Sequence, residues 1–135
     1  MRETFDAIRA AVAYLGVIAA YVLGPMNGLL ITLCVFMALD YITGVTAAII
    51  SHTLSSEVGF VGLARKCGIL VLVCVGYLID TYVIGFAGVR TMVILWYLAN
   101  EGVSILENAG KIGLPVPDKL RSILAQLSED KKENE

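Results

Sequence analysis

The chain has 135 residues, 58% of them hydrophobic and 16% charged, and its ten Lys and Arg against twelve Asp and Glu leave a net charge of −2. Its mean hydropathy is +0.80, whereas an ordinary soluble domain is about 45–50% apolar and about 25% charged, and a short chain cannot hide such an excess from water. An ordinary cytosolic enzyme and a disordered linker are thereby excluded, and a nucleic-acid binder is disfavoured for want of a basic face.

What remains is an integral membrane protein. The fold class expected is an all-α helical bundle with four transmembrane helices, three at the least, and a short C-terminal amphipathic helix. A bilayer core about 30 Å thick takes about 20 mostly apolar helical residues to cross. The first apolar stretch, Ile8–Leu23, is Ala-rich and the shortest of the four. Small residues at Ala19 and Ala20 would suit a secretory leader. However, Glu3 and Asp6 offset Arg2 and Arg9 in its head, and another span follows at once, so it reads as a retained span that inserts weakly or lies in the interface. Gly16, Ala20 and Gly24 stand at i+4 spacing, a small-residue face for close helix contact.

The second span, Leu29–Ile50, follows the Gly24-Pro25 break. Asp40, Thr43, Gly44, Ala47, Ala48 and Ser51 form a small and polar stripe on it at helical spacing. A polar loop is expected over Ser51–Lys66, with Gly59 and Gly62 at turns and Arg65 and Lys66 leading into the third span, Cys67–Phe86. There Gly68, Gly76 and Asp80 share a face, with Thr81 beside it, and Gly85 to Gly88 close the span. The fourth span starts at Thr91, is strongly apolar through Leu98 and turns amphipathic, with Tyr97, Asn100, Glu101, Ser104, Asn108 and Lys111 in line.

Pro115-Val116-Pro117 separates a transmembrane domain, 1–112, from a cytoplasmic tail, 113–135. In the tail Asp118 is placed as an N-cap, and Leu120, Ile123, Leu124 and Leu127 recur at i, i+3, i+4 and i+7, the stripe of a short amphipathic helix. It is too short to span, and fits the inner leaflet or a neighbour. Ser128–Glu135 is a solvated charge run.

Lys and Arg set the orientation. Nine of the ten fall at the termini or in the Ser51–Lys66 loop, and only Arg90 falls on the other side. Both termini and the middle loop are expected in the cytoplasm.

Three acids, Asp40, Asp80 and Glu101, fall inside apolar spans, each costing about 2.5–3.5 kcal/mol at a helix centre. Two readings stand side by side. The acids are paired within the molecule, Asp40 with Arg65 or Lys66 and Asp80 with Arg90, or they line a shared polar interior or lumen with their neighbours. The two are compatible if pairs made in one subunit are exchanged for lumen exposure in an oligomer. No catalytic constellation, cofactor motif or metal-ligand spacing is present: His52 is alone in its loop, and Cys34, Cys67 and Cys74 sit in or beside apolar runs.

These residues carry a resemblance. Asp40-Tyr41-Ile42-Thr43-Gly44, then Ser56, Gly59, Gly62, Arg65 and Lys66, then Ile79-Asp80, and above all Asn100-Glu101-Gly102-Val103-Ser104-Ile105-Leu106-Glu107-Asn108 followed by Gly113, Pro115-Val116-Pro117 and Leu120, resemble the toxin secretion/phage lysis holin family (bacteriophage holin family 4) over about Leu39 to Leu127. The resemblance implies a multi-pass, non-enzymatic protein of the bacterial cytoplasmic membrane. Its partners would be the lipid bilayer and copies of itself. It would oligomerise at a set time and permeabilise the membrane for an endolysin, with which it needs no direct contact, or for a toxin. Some such proteins pair with an antiholin from a second start codon; here the next methionine, Met26, lies beyond the first span and does not support a short-offset dual start. The mechanistic expectation is a dispersed state with the polar stripes paired internally and an assembled state with them facing water, the first span leaving the bilayer at triggering. The rival from another class is a small proton-coupled multidrug-type transporter, and a third is a passive adaptor recruiting partners through Leu120–Leu127.

Overall fold

The computed structural model describes residues 1–129. The elements are α1 (Arg2–Leu23), α2 (Gly28–Ile50), α3 (Ser56–Leu78) running on into a π-helical turn (Ile79–Ile84), α4 (Val89–Ile112) and α5 (Asp118–Glu129). There is no strand among the described residues.

Two boundaries depart from the hydropathy pattern. Helix α1 begins at Arg2, so it has 22 residues, and its charged head is helical. Helix α3 begins at Ser56, so most of the stretch expected as a loop is its first three turns. Ser55 is the N-cap, its hydroxyl accepting the N–H of Val58 at 3.1 Å, and Glu57 lies in the first turn where the helix dipole favours an acid. Gly59, Gly62, Arg65 and Lys66 are therefore helical, and neither glycine is a turn residue.

Among the described residues three helices are long and apolar enough to cross a membrane: α1, α2, and α3 with its π-helical continuation. The polar stripe keeps α4 below that mark, although at 24 residues it is about 36 Å long and packs lengthwise against α2 and α3. Short connections make neighbours antiparallel, and each is built from capping chemistry. Asn27 Oδ1 accepts the Leu30 N–H at 3.0 Å to start α2. Gly24, at φ 79°, makes the break before it and lies so close under the Tyr77 ring that a Cβ would stand 2.5 Å from it.

The apolar core is small: Leu30, Leu33 and Met37 of α2, Ile69 and Val73 of α3, and Ile94 of α4. Large apolar side chains such as Phe60, Val71 and Met92 point outward, which suits lipid as the solvent, since helices there satisfy their own backbone and need no apolar cover. Helix α1 buries no residue and packs closely only on α3, with the Arg90 and Tyr82 side chains reaching its C-terminal end. Helix α5 folds back near α4, with Leu120 and Ile123 exposed. The side chains of Leu124 and Leu127, and the charge run from residue 130 on, lie outside the described residues.

Candidate functional site: an ion triad and an open groove

Asp40, Lys66 and Glu101 come from the middle of three different helices. Lys66 Nζ donates to Asp40 Oδ2 at 2.6 Å and to Glu101 Oε2 at 2.5 Å. All three side chains are at most 14% exposed. Lys66 lies ten residues into α3 and Glu101 twelve into α4, about 15 and 18 Å along their helices, so the triad sits near mid-bundle. A single ammonium serves two carboxyl groups. The triad thus carries either one uncompensated negative charge or one proton.

Asn108, two helical turns further along α4, ties α4 to α2 again. Its Nδ2 donates to Asp40 Oδ1 at 3.1 Å and to Thr43 Oγ1 at 3.2 Å, and lies 3.3 Å from the Asp40 carbonyl oxygen. Gly44 lies beside this contact, where a Cβ would stand 3.4 Å from Asn108 Nδ2, at the edge of ordinary van der Waals distance. The Thr43 hydroxyl donates back to the Leu39 carbonyl at 2.8 Å. No buried side-chain N or O among the described residues lacks a partner, as a polar cluster inside an apolar body requires.

Beside the triad lies an open cavity of about 1110 Å³ between α2 and α3, with α4 as its floor. Asp40, Gly44, Lys66, Tyr97, Asn100, Glu101, Ser104 and Asn108 line it, with Glu57 and Arg65 also on its walls. Arg65 is exposed, and the ammonium that meets Asp40 is that of Lys66. Since Lys66 is consumed by the triad, the charge asymmetry rests on the termini and Arg65.

Asp80 belongs elsewhere. Its carboxylate accepts the N–H groups of Gly88 (3.1 Å), Val89 (2.9 Å) and Arg90 (3.0 Å), so it closes the N-terminus of α4. The π-helical turn, with the Gly85 N–H on the Asp80 carbonyl at 2.9 Å, holds it there. Arg90 meets Asp80 through its backbone. Its guanidinium donates instead to the carbonyls of Leu23 and Pro25, both at 2.8 Å, and lies 5.9 Å from the centre of the Tyr77 ring. The three intramembrane acids therefore do not share one interior: Asp40 and Glu101 converge, while Asp80 is a helix cap. Of the small-residue face on α1, Gly24 packs on Tyr77, while Gly16 has nothing within 4 Å of a built Cβ and Ala20 is exposed.

Two arrangements escaped sequence reasoning. The sharing of Lys66 between Asp40 and Glu101 was hidden because Lys66 read as a loop residue; the Ser55-Ser56-Glu57 start signal would have put it on a helix. The latch from Arg90 to the end of α1 has no sequence signal.

Comparison with known proteins decides the family. The model of the bacteriophage holin family matches residues 17–129. The chain belongs to the bacteriophage holin family. A Bacillus phage phi105 protein named "Probable holin" is 36% identical over 112 residues, 82% of each chain. A Clostridium perfringens protein named "Uncharacterized 14.9 kDa protein in nagH 3'region" is 37% identical over 132 residues, covering 97% of this chain and all of that one. An uncharacterized Listeria monocytogenes protein is 37% identical over 124 residues, 89% of each chain. No solved structure gives a significant match. The holin family match takes in the last third of α1, all of the triad, the Asp80 cap and α5. This is a holin-type membrane protein.

Proposed function

We propose that the protein permeabilises the bacterial cytoplasmic membrane so that an endolysin, or a toxin, can leave the cell. It does so without chemistry of its own, as an assembly of identical copies with both termini in the cytoplasm and α5 on the inner face. An antiholin is a further partner that such timing would accommodate. The observation that carries this reading is the Asp40–Lys66–Glu101 triad, an ion cluster at mid-bundle that opens sideways onto a groove.

The physical argument is an exchange of partners. In the single chain the charges are satisfied by one another, which keeps the desolvation of three ions tolerable. When copies pack, the groove walls turn toward a shared interior, and water replaces part of the ion pairing. Each copy gives up little, because water solvates the released carboxylates better than one shared ammonium does. The transition is therefore steep in protein density rather than dependent on a ligand.

Induced expression in a bacterial host, followed by a potential-sensitive dye and by the appearance of a cytoplasmic enzyme in the medium when an endolysin is co-expressed, tests this. Abrupt depolarisation followed by enzyme release is expected. Continued growth with altered tolerance to cationic drugs would instead point to a proton-coupled transporter and overturn the reading.

A further inference from the structure

The triad lies on a boundary that all three of its helices share. On α2 the core residues Leu30, Leu33 and Met37 come before Asp40, and Gly44 and Ala48 of the groove come after it. On α4 the core residue Ile94 precedes Glu101, and Ser104 and Asn108 of the groove follow. Helix α3 runs the other way, with Glu57, Val61 and Arg65 of the groove before Lys66 and Val73 of the core beyond it. Past Lys66 the lining turns apolar with Ile69, Val71 and Leu72. Ile69 is also a core residue, so the groove ends blind against the core.

The two halves of the bundle differ in kind. Toward the end that carries the α2–α3 connection and α5, the groove walls hold Glu57 and Arg65, both exposed, together with Ser104 and Asn108. Such walls are costly against lipid tails and are solvated by water. Toward the other end, Leu30, Leu33, Val73 and Ile94 have no exposed surface. Beyond them Asp80 is consumed by three backbone N–H groups and the Arg90 guanidinium by two carbonyls. That half is a dry plug, about 16 Å deep along α4 between Arg90 and Glu101.

We infer that the triad is a binding site for one proton, which enters and leaves only through the groove. Two carboxyl groups share one ammonium, so a single proton balances the cluster. The other groups facing it leave that balance alone. Glu57 and Arg65 on α3 offset each other, and Tyr41 of α2 and Tyr97 of α4 bring phenols rather than charges. Glu107 and Lys111 of α4 are exposed and outside the lining, and no described residue of α1 or α5 is in it. With the proton bound, the triad is neutral and the closed chain has less to gain from water. Lowering the pH on the groove side therefore favours the closed chain. The inference deepens the proposed function by naming what tunes the partner exchange, and rests on that reading only for this consequence; the site itself belongs to the single chain.

Sidedness is read with a chain whose Cys34, Cys67 and Cys74 are replaced by serine, expressed below the onset of leakage. A charged, impermeant maleimide is applied to spheroplasts and to inverted membrane vesicles. Lys119→Cys on α5 marks the groove end. Ser104→Cys should react from the same face as Lys119→Cys and from no other, and Met37→Cys from neither. Proton binding is read by infrared spectroscopy of the purified full chain in phosphatidylethanolamine–phosphatidylglycerol vesicles. A carboxylic-acid band is expected at a pH where exposed Asp and Glu are ionised, and it should be lost in Glu101→Gln and in Asp40→Asn. Labelling of Ser104→Cys from the opposite face or from neither would overturn the inference, and so would a band that both variants retain. Both signatures in membranes that never become permeable would uphold the proton site and overturn the hole-forming reading. Permeable membranes with neither signature would do the reverse.

Discussion

Lys66 on α3 and Glu101 on α4 are joined Nζ to Oε2 at 2.5 Å, and the same ammonium holds Asp40 of α2, so one side chain pins three helices together. Core packing alone does not hold these helices, since the buried apolar cluster among the described residues is small and lipid supplies no hydrophobic drive between helices. Close packing and polar links do, and each prediction below removes one of them.

Lys66→Met leaves two carboxyl groups at mid-bundle with no cation. Removing one partner of a buried pair costs about 3–5 kcal/mol, so the detergent-solubilised variant should unfold at a clearly lower temperature than wild type. Adding Asp40→Asn and Glu101→Gln to Lys66→Met should recover most of the loss. A triple variant as unstable as the single one would mean that the triad's charge balance is not what is at stake.

Glu101→Gln reduces the triad to one Asp and one Lys, a neutral pair with a neutral amide beside it. The closed chain loses its uncompensated charge or bound proton, and with it part of the drive to exchange internal partners for water. Onset of depolarisation should come later than in wild type at matched protein levels, with thermal stability changed by less than for Lys66→Met. Unaltered or earlier onset would contradict the partner-exchange argument.

Asp80→Ala strips three backbone N–H groups at the start of α4 of their acceptor. Loss of a helix cap costs about 0.5–2 kcal/mol. Amide exchange at residues 88–90 should rise by roughly 10-fold while the middle of α4 stays protected. Asp80→Asn, which keeps one acceptor, should fall between.

Gly76→Ala and Gly16→Ala separate packing within the chain from packing between chains. A Cβ at Gly76 would meet the Arg90 backbone at 3.0 Å, where nothing flexible can yield, so α3 and α4 must part; overpacking of this kind costs about 1–3 kcal/mol. At Gly16 there is open space, and the better helix propensity of alanine should leave stability unchanged or up by about 0.5–1 kcal/mol. Melting curves of the two variants in detergent check both. If Gly16→Ala melts normally but delays permeabilisation, the open face of α1 acts between copies.

Much of the fold was legible because bilayer physics is written in composition. The span expected at Leu29–Ile50 is helix Gly28–Ile50, and Asp118, expected as an N-cap after Pro115-Val116-Pro117, lies one residue further in as the first residue of the last helix, the Pro117 carbonyl taking the Arg121 N–H at 3.1 Å. The start of α3 was not legible, because Glu57, Arg65 and Lys66 lower the hydropathy exactly where a helix end is sought, and a helix that packs its polar face inward gives the same signal as a loop. The charged head of α1 misled in the same way.

The sequence by itself determined that this chain lives in a membrane as helices, and that a few polar residues fall on stripes inside them. Periodicity and hydropathy are local quantities, read along one helix at a time. Only the tertiary structure decided which stripes meet. It brought Asp40 and Glu101 onto one ammonium, sent Asp80 to cap a helix, and turned Arg90 away from Asp80's carboxylate toward the end of α1. Those choices depend on how helices are rotated and on the depth at which they cross, which are fixed by contacts between residues far apart in the chain. The small charged fraction that marked the chain as a membrane protein therefore acquires its roles residue by residue only once the helices are packed.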